Sequence, residues 1–313
     1  MPQDVYLQPD APDPVLDAAT VLALARRHVP EADTVLEIEE SGGEARTYGV
    51  RAGDRDLILK VQRPPQLRPR TSLEKEAFFL RHLAAVAPDL PVPRVYGYSR
   101  DSALLEYTVL TRMPGVALDR AQLTADQEAT LLGELGRVLR RIHDLPLAPF
   151  YDSGLFLGDY AWAAVQMRVG HGFLDLAARS TGHRWPLAIP LATLGQQVLR
   201  AVPRSDARAA LHSNPYREHV FVHPDRGVFS GVIDFGDAYV GHPAFDLRRW
   251  HRTAERAALL AGYTAAGPVS AGFLAVRRAV LILLEATVLV VYGPDDSRIA
   301  GVAEDLTQLI AEL

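Results

Sequence analysis

The sequence predicts an α+β protein in two parts, a β-rich first third and a helical remainder with one short hairpin embedded in it. Three observations carry that reading. Between residues 34 and 62, short runs rich in Val, Ile, Leu, Thr and Tyr are punctuated by glycine. From residue 124 the apolar residues recur at helical spacing over long segments. A β-rich island, HVFVHPDRGVFSGVID at 219–234, then interrupts those helices.

In chain order, residues 1–14 are acidic and proline-rich and read as a tail, and 15–29 carry helical apolar spacing with Asp17 or Thr20 near the start. TVLEIEE, TYGVRAG and DLILKVQ read as strands, with Ser41-Gly42-Gly43 as a hairpin turn between the first two. SLEKEAFFLRHLAAVA reads as a helix that Ser72 can cap. Pro91 and Pro93 fix an extended approach to the next strand, ALLEYTVLTRM follows, and Pro114-Gly115 breaks it. TADQEATLLGELGRVLRRIHDL is a long amphipathic helix, with further helices at 159–179 and 191–201 and mostly helix beyond Phe245. The organisation expected is a tail at 1–14, a β-rich lobe at 15–110, a hinge at 111–115 and a helical lobe at 116–313. The two lobes are expected to flank a cleft.

With 313 residues, 48% hydrophobic and 23% charged, the chain can bury about two ordinary cores. A net charge of −5 supplies no basic field for nucleic acid or an anionic membrane. Cysteine is absent, which excludes disulfides and thiolate metal sites and fits a reducing cytoplasm. The first residues lack the basic start and apolar run of a secretory signal. The most apolar stretch, 273–292, contains Arg277, Arg278 and Glu285 and reads as a buried helix rather than a membrane span.

The chemistry is concentrated in Leu211-His212-Ser213-Asn214-Pro215-Tyr216-Arg217-Glu218-His219, followed by Ile233-Asp234-Phe235-Gly236-Asp237 and Gly241-His242-Pro243-Ala244-Phe245-Asp246-Leu247. This segment resembles the aminoglycoside phosphotransferase family, small-molecule kinases related in fold to protein kinases. That family's pattern is H-x-D-x-x-x-x-N, two short strands, I-D-[FW]-x-D and G-D-P-x-x-D-L. The likeness extends more weakly over residues 35–290. It implies a two-lobe protein-kinase-like fold, ATP or GTP with Mg²⁺ as cofactors, and a small-molecule hydroxyl acceptor.

Phosphoryl transfer needs a lysine for the nucleotide phosphates, an acid to hold it, hard oxygen ligands for magnesium and a carboxylate to orient the attacking hydroxyl. Lys60 lies in the apolar strand LILKVQ, where a lysine snorkelling from a strand edge is the bland alternative. By the resemblance Lys60 holds the phosphates, Glu76 holds Lys60 with Glu74 as rival, Thr111 and Met113 meet adenine through their backbone, and Ser41 and Gly42 cover the phosphates. Asp234 follows an apolar strand and is the expected Mg²⁺ ligand, so Lys60 and Asp234 should face each other. Asp237 and Asp246 read as structural, His212 as orienting the catalytic loop, and His143 and the other histidines as structural or solvated.

Two positions depart from the family. His219 stands at the second metal-ligand position, where imidazole suits Mg²⁺ poorly. Asn214 stands where the family has its catalytic aspartate. An amide accepts a hydrogen bond but has almost no basicity, and losing a general base costs about a hundredfold to ten-thousandfold in rate. The chain therefore reads as an Asp-to-Asn inactivated form, as an enzyme with a weak or displaced base, or as a non-catalytic nucleotide-binding pseudokinase.

The stretch 150–200 occupies the place of the family's acceptor pocket and holds Asp152, Asp159, Tyr160, Trp162, Asp175 and Trp185. Carboxylates with aromatics suit a cationic, hydroxyl-rich acceptor, and a solvated helix with core tryptophans explains the same residues. Glu255 and Glu285 are further acceptor candidates. The expectation is a phosphotransferase acting on an aminoglycoside or cationic peptide antibiotic and conferring resistance. The alternative enzyme is a metabolite kinase for an amino alcohol or sugar. The protein is expected to be a monomer or a dimer.

Overall fold

The computed structural model describes residues 6–40, 42–69, 72–156, 162–180, 185–293 and 301–313. The chain divides into two compact units, one of Gln3–Gln122 with Arg217–Ala238, the other of Leu123–Tyr216 with Tyr239–Leu313. The first is a β-sheet unit and the second is mainly helical, so the fold is α+β.

The first unit is built on five strands: β1 (Ala32–Glu39), β2 (Ala45–Ala52), β3 (Arg55–Gln62), β4 (Val95–Ser102) and β5 (Leu105–Thr111). They lie in the order β1-β2-β3-β5-β4, every neighbouring pair antiparallel. Helix α1 (Ala18–Arg26) starts at Asp17, whose carboxylate accepts the Thr20 N–H at 2.8 Å. It packs Val21, Leu24 and Ala25 against Leu57, Leu59, Tyr107 and Val109 of the sheet. Because strand residues alternate between faces, burying Leu57, Leu59 and Val61 against α1 puts Lys60 on the other face. Helix α2 (Leu73–Val86) is capped by the Ser72 hydroxyl, which accepts the Lys75 N–H at 3.3 Å, and it buries Glu76, Phe79, Leu80 and Leu83.

The late hairpin belongs to this first unit. Strand β6 (Val116–Ala117) pairs with β8 (Val220–His223), which pairs with β9 (Val228–Val232). The approach is close: Gly115 has φ +89°, and a Cβ there would stand 2.1 Å from the Val222 carbonyl oxygen. The Val232 N–H donates to the Pro91 carbonyl and the Ser230 hydroxyl to that of Pro114. Local pattern announces the two strands, and only these long-range bonds assign them to the sheet unit.

The second unit contains α3 (Ala125–His143), α4 (Ala148–Asp152), α5 (Trp162–Arg179), α6 (Leu191–Ala201), α7 (Thr253–Thr264), α8 (Phe273–Tyr292) and α9 (Val302–Ala311). Thr124 and Gln127 form a reciprocal capping box at the start of α3. Helices α3 and α7 pack at glycines, for a Cβ on Gly262 would meet the Gly133 carbonyl oxygen at 1.9 Å. Strands β7 (Ala209–Leu211) and β10 (Tyr239–Gly241) pair antiparallel and so bring the chain on either side of the excursion 217–238 together. Among the described residues no helix is long and apolar enough to cross a membrane.

Candidate active site

Lys60 of β3 is the centre of a charged group within the first unit. Its ammonium donates to Glu76 Oε1 at 3.0 Å and Oε2 at 2.8 Å, and to Asp234 Oδ1 at 2.8 Å. Burial works against the charged lysine, but Asp234 and then Glu76 outweigh it and hold the ammonium above the ordinary lysine range. Glu76 also accepts the Phe235 N–H at 3.3 Å, and the Phe79 ring packs 5.0 Å from that of Phe235. One helix thus fixes both the lysine and the chain just past β9. Glu74, the rival, lies 3.7 Å from Arg100, so the helical phase selects Glu76 for Lys60.

Asp234 is the more accessible carboxylate of the pair, 35% exposed against 1% for Glu76. Its Oδ2 stands 3.3 Å from His219 Nε2, and the Ile233 N–H donates to the His219 carbonyl. Its φ of +72° is unusual for a residue with a side chain, although Asp tolerates it better than most. Asp237 pairs with Arg68 at 3.3 Å.

The loop 212–216 lies in the second unit. Asp246, fully buried, accepts the N–H of His212 at 2.8 Å and that of Ser213 at 2.8 Å. Its Oδ2 also lies 3.0 Å from His143 Nε2, and the Tyr263 hydroxyl is 2.9 Å from His143 Nδ1. Full burial pushes the Asp246 carboxyl up; His143 first, then His212 and the Ser213 N–H, bring it below the ordinary aspartate value. Ser213 has φ +83°, and the Asn214 N–H donates to His212 Nδ1 at 3.3 Å. The loop is therefore tied down on both sides of Asn214, with the Tyr216 N–H donating to the Asn214 carbonyl at 2.9 Å. His143 was expected to be structural or solvated on an ordinary helix; its part in holding this loop had no local signal, because its partner is 103 residues away.

Of the remaining predicted site residues, Thr111 ends β5 and accepts the Arg94 N–H on its hydroxyl at 2.8 Å. Met113 is buried, and a Cβ on Gly231 would meet its Cε at 2.1 Å, so it packs on β9. The Gly42 carbonyl accepts from Arg63 at 2.9 Å, and Ser41 lies outside the described residues. Asp152 is exposed at the end of α4, and Asp175 is ion-paired with Arg179 at 3.0 Å along α5. Asp159 and Tyr160 lie outside the described residues, as does the side chain of Trp162.

An antiparallel sheet unit carrying a lysine–glutamate pair, with a mainly helical unit after it, defines a protein-kinase-like fold. A family model described as the phosphotransferase enzyme family (APH) matches residues 34–277, and the chain belongs to that family. Its membership makes it a kinase-type small-molecule phosphotransferase. Solved structures agree on the fold. Macrolide 2'-phosphotransferase MphH from Brachybacterium faecium aligns with 93% of this chain and 97% of its own at 21% identity and a TM-score of 0.62. The streptomycin–ATP ternary complex of APH(2")-IIa covers 94% and 97% at 15% identity, TM-score 0.57. A thermostable mutant of aminoglycoside phosphotransferase APH(4)-Ia, in ternary complex with ADP and hygromycin B, covers 93% and 98% at 16% identity, TM-score 0.58.

Proposed function

We propose that this chain transfers the terminal phosphoryl group of ATP or GTP, with Mg²⁺, to a hydroxyl of a small molecule, a cationic antibiotic before other acceptors. The single observation that carries the reading is the Lys60–Glu76–Asp234 group, a charged lysine held by one buried and one accessible carboxylate. Lys60 binds phosphate oxygens, and Glu76 keeps it in place when Asp234 is engaged elsewhere. The Thr111 carbonyl and Met113 amide receive adenine, and the turn at Gly42 covers the phosphates.

The donor set fits magnesium in one mode. Among the described residues no group of three or more His, Asp or Glu side chains is gathered to hold an ion. Asp234 would therefore hold Mg²⁺ together with phosphate oxygens and water, as is usual where the ion accompanies a nucleotide. Bound there, the ion neutralises charge on the phosphates. His219 offers nitrogen to a cation that prefers oxygen, and its place beside Asp234 suits orientation of that carboxylate better than ligation. On the acceptor side, His212 and Asp246 fix the loop, and the side-chain amide oxygen of Asn214 aligns a hydroxyl without taking its proton.

Fold relatives solved with streptomycin and ATP, or with hygromycin B and ADP, support antibiotic as the acceptor class. Calorimetry tests the nucleotide half: the parent binds ATP or GTP in the presence of Mg²⁺, and Asp234→Ala loses the metal-dependent part. Failure of the parent to bind either nucleotide rejects the reading. A phosphotransfer panel of aminoglycosides, macrolides and cationic peptide antibiotics, run with the Asn214→Asp form, tests the acceptor half. Asn214 itself favours one other reading, a non-catalytic nucleotide-binding protein; nucleotide binding with no transfer by either form would establish it.

A further inference from the structure

We propose that His251, backed by the buried carboxylate of Glu285, is the group that takes the proton from the acceptor hydroxyl in this chain; the inference rests on the phosphotransfer reading above. Glu285 of α8 has no solvent exposure. Its Oε1 accepts from Arg256 Nη1 at 2.7 Å, and its Oε2 stands 3.5 Å from His251 Nδ1. Those two facing atoms, Glu285 Oε2 and His251 Nδ1, are both buried and lack a hydrogen bond among the described residues. A buried polar atom left unsatisfied is destabilising. A proton on Nδ1, drawn slightly toward Oε2, relieves both atoms at once. That tautomer leaves Nε2 as the acceptor nitrogen.

The pair also stands next to the loop that needs it. The His251 ring meets the Tyr216 ring edge-on at 6.3 Å, and the Tyr216 backbone N–H bonds the Asn214 carbonyl. The His251 side chain is 34% exposed, so a hydroxyl can reach the imidazole while the carboxylate behind it stays dry. A base oriented by a third group, itself fixed by burial, is the arrangement that activates weak nucleophiles elsewhere. Here the ring that the base packs on belongs to a residue two positions from Asn214, whose amide cannot serve.

In the transfer, the acceptor oxygen bonds to the terminal phosphorus, and the bond from that phosphorus to the bridging oxygen breaks. Its electron pair leaves on the nucleoside diphosphate. The hydroxyl proton passes to His251 Nε2, and the imidazolium formed is compensated by Glu285 until the proton returns to water. Among the described residues, the charged network behind the imidazole runs from Glu285 on α8 to Arg256 on α7 and on to Asp305 on α9 at 2.8 Å from Arg256. Arg252, next in the chain, is turned to Glu255 and Glu128. The titratable Tyr216 also faces the imidazole, edge-on.

The test is a double-mutant cycle on the hydrolysis of MgATP or MgGTP, with water as the acceptor. His251→Gln lowers the rate about a hundredfold in the parent. In the Asn214→Asp background, where a loop carboxylate takes over, it lowers the rate less than about threefold. Imidazole added in solution restores part of the rate lost in His251→Ala. Independently of turnover, ¹⁵N NMR of histidine-labelled protein shows the Nδ1–H tautomer at His251. Equal losses in both backgrounds without imidazole rescue would assign His251 a structural role and overturn the proposal, as would an Nε2–H tautomer. A parent that binds no nucleotide overturns the phosphotransfer reading itself; one that binds and turns over unchanged by His251→Gln overturns only this inference.

Discussion

Asp234 in the first unit and Ser213 in the second are the non-glycine residues with positive φ among those described. Such backbone costs about 1–3 kcal/mol and survives only where its surroundings over-determine it. Both regions meet that condition, by different means. Around Asp234, each charge has an opposite charge at hand: Lys60 meets both Asp234 and Glu76, and Glu76 also takes the Phe235 N–H. Around Ser213 the support is as thorough, since Asp246 takes two backbone N–H groups and a histidine. Yet the residue that this second scaffold presents, Asn214, carries no charge. Holding a loop in a strained shape and presenting a charged side chain from it are separate tasks, and here the first is carried out by residues other than the one presented.

The largest effect expected is at Lys60. Lys60→Ala removes the charge that both carboxylates serve and should lower phosphotransfer about a thousandfold, measured as steady-state turnover. A loss below tenfold would mean that the two regions do not differ as described. Asp246→Ala tests the other scaffold. Removing a buried, fully bonded carboxylate should destabilise the fold by about 3–5 kcal/mol in urea titrations. The sign with pH follows from its depressed value: its contribution is present above the unfolded aspartate value of 3.8 and is lost as pH falls through the lower folded one.

His242 gives a smaller and separable effect. Its Nδ1 accepts the Ala244 N–H at 3.3 Å, and the Ser205 hydroxyl is 3.1 Å from Nε2. Burial, and then His143, push it down from 6.5 to about 4. As pH falls below about 6.5 the unfolded chain takes this proton first, so stability should decline down to about 4, by on the order of 3 kcal/mol. His242→Asn keeps a capping acceptor and should flatten that part of a melting-temperature profile. A profile unchanged by the substitution would remove His242 from the scaffold. The smallest effect concerns the acceptor: binding of a cationic antibiotic should weaken a few-fold between low and high salt, as exposed charge pairs do.

Much of the sheet was readable because strand alternation and turn residues are local. Leu57, Leu59 and Val61 on one face already imply Lys60 on the other. The choice of Glu76 over Glu74 needed packing, since both lie in the first turn of α2. His143 resembled any histidine on an amphipathic helix, because what distinguishes it is a carboxylate far along the chain. The hairpin's membership of the sheet unit depends on contacts more than a hundred positions apart, the pairing of Val116 and Ala117 with β8 and the bonds from β9 to Pro91 and Pro114. For Asp175 the signal was present: Arg179, four residues on, is where a helix places a partner for it.

On the proposed function, Lys60, Glu76 and Asp234 serve the nucleotide, and the loop at Asn214 presents an amide to the acceptor where a carboxylate would serve better. The direct measurement is steady-state phosphotransfer by the parent and by Asn214→Asp, with nucleotide affinity determined in parallel on an acceptor shown to bind. The account predicts a gain in turnover of about a hundredfold with nucleotide affinity unchanged, because Asn214 serves the acceptor hydroxyl. Equal turnover by the two forms would contradict it, and would mean that position 214 is not where the missing charge belongs.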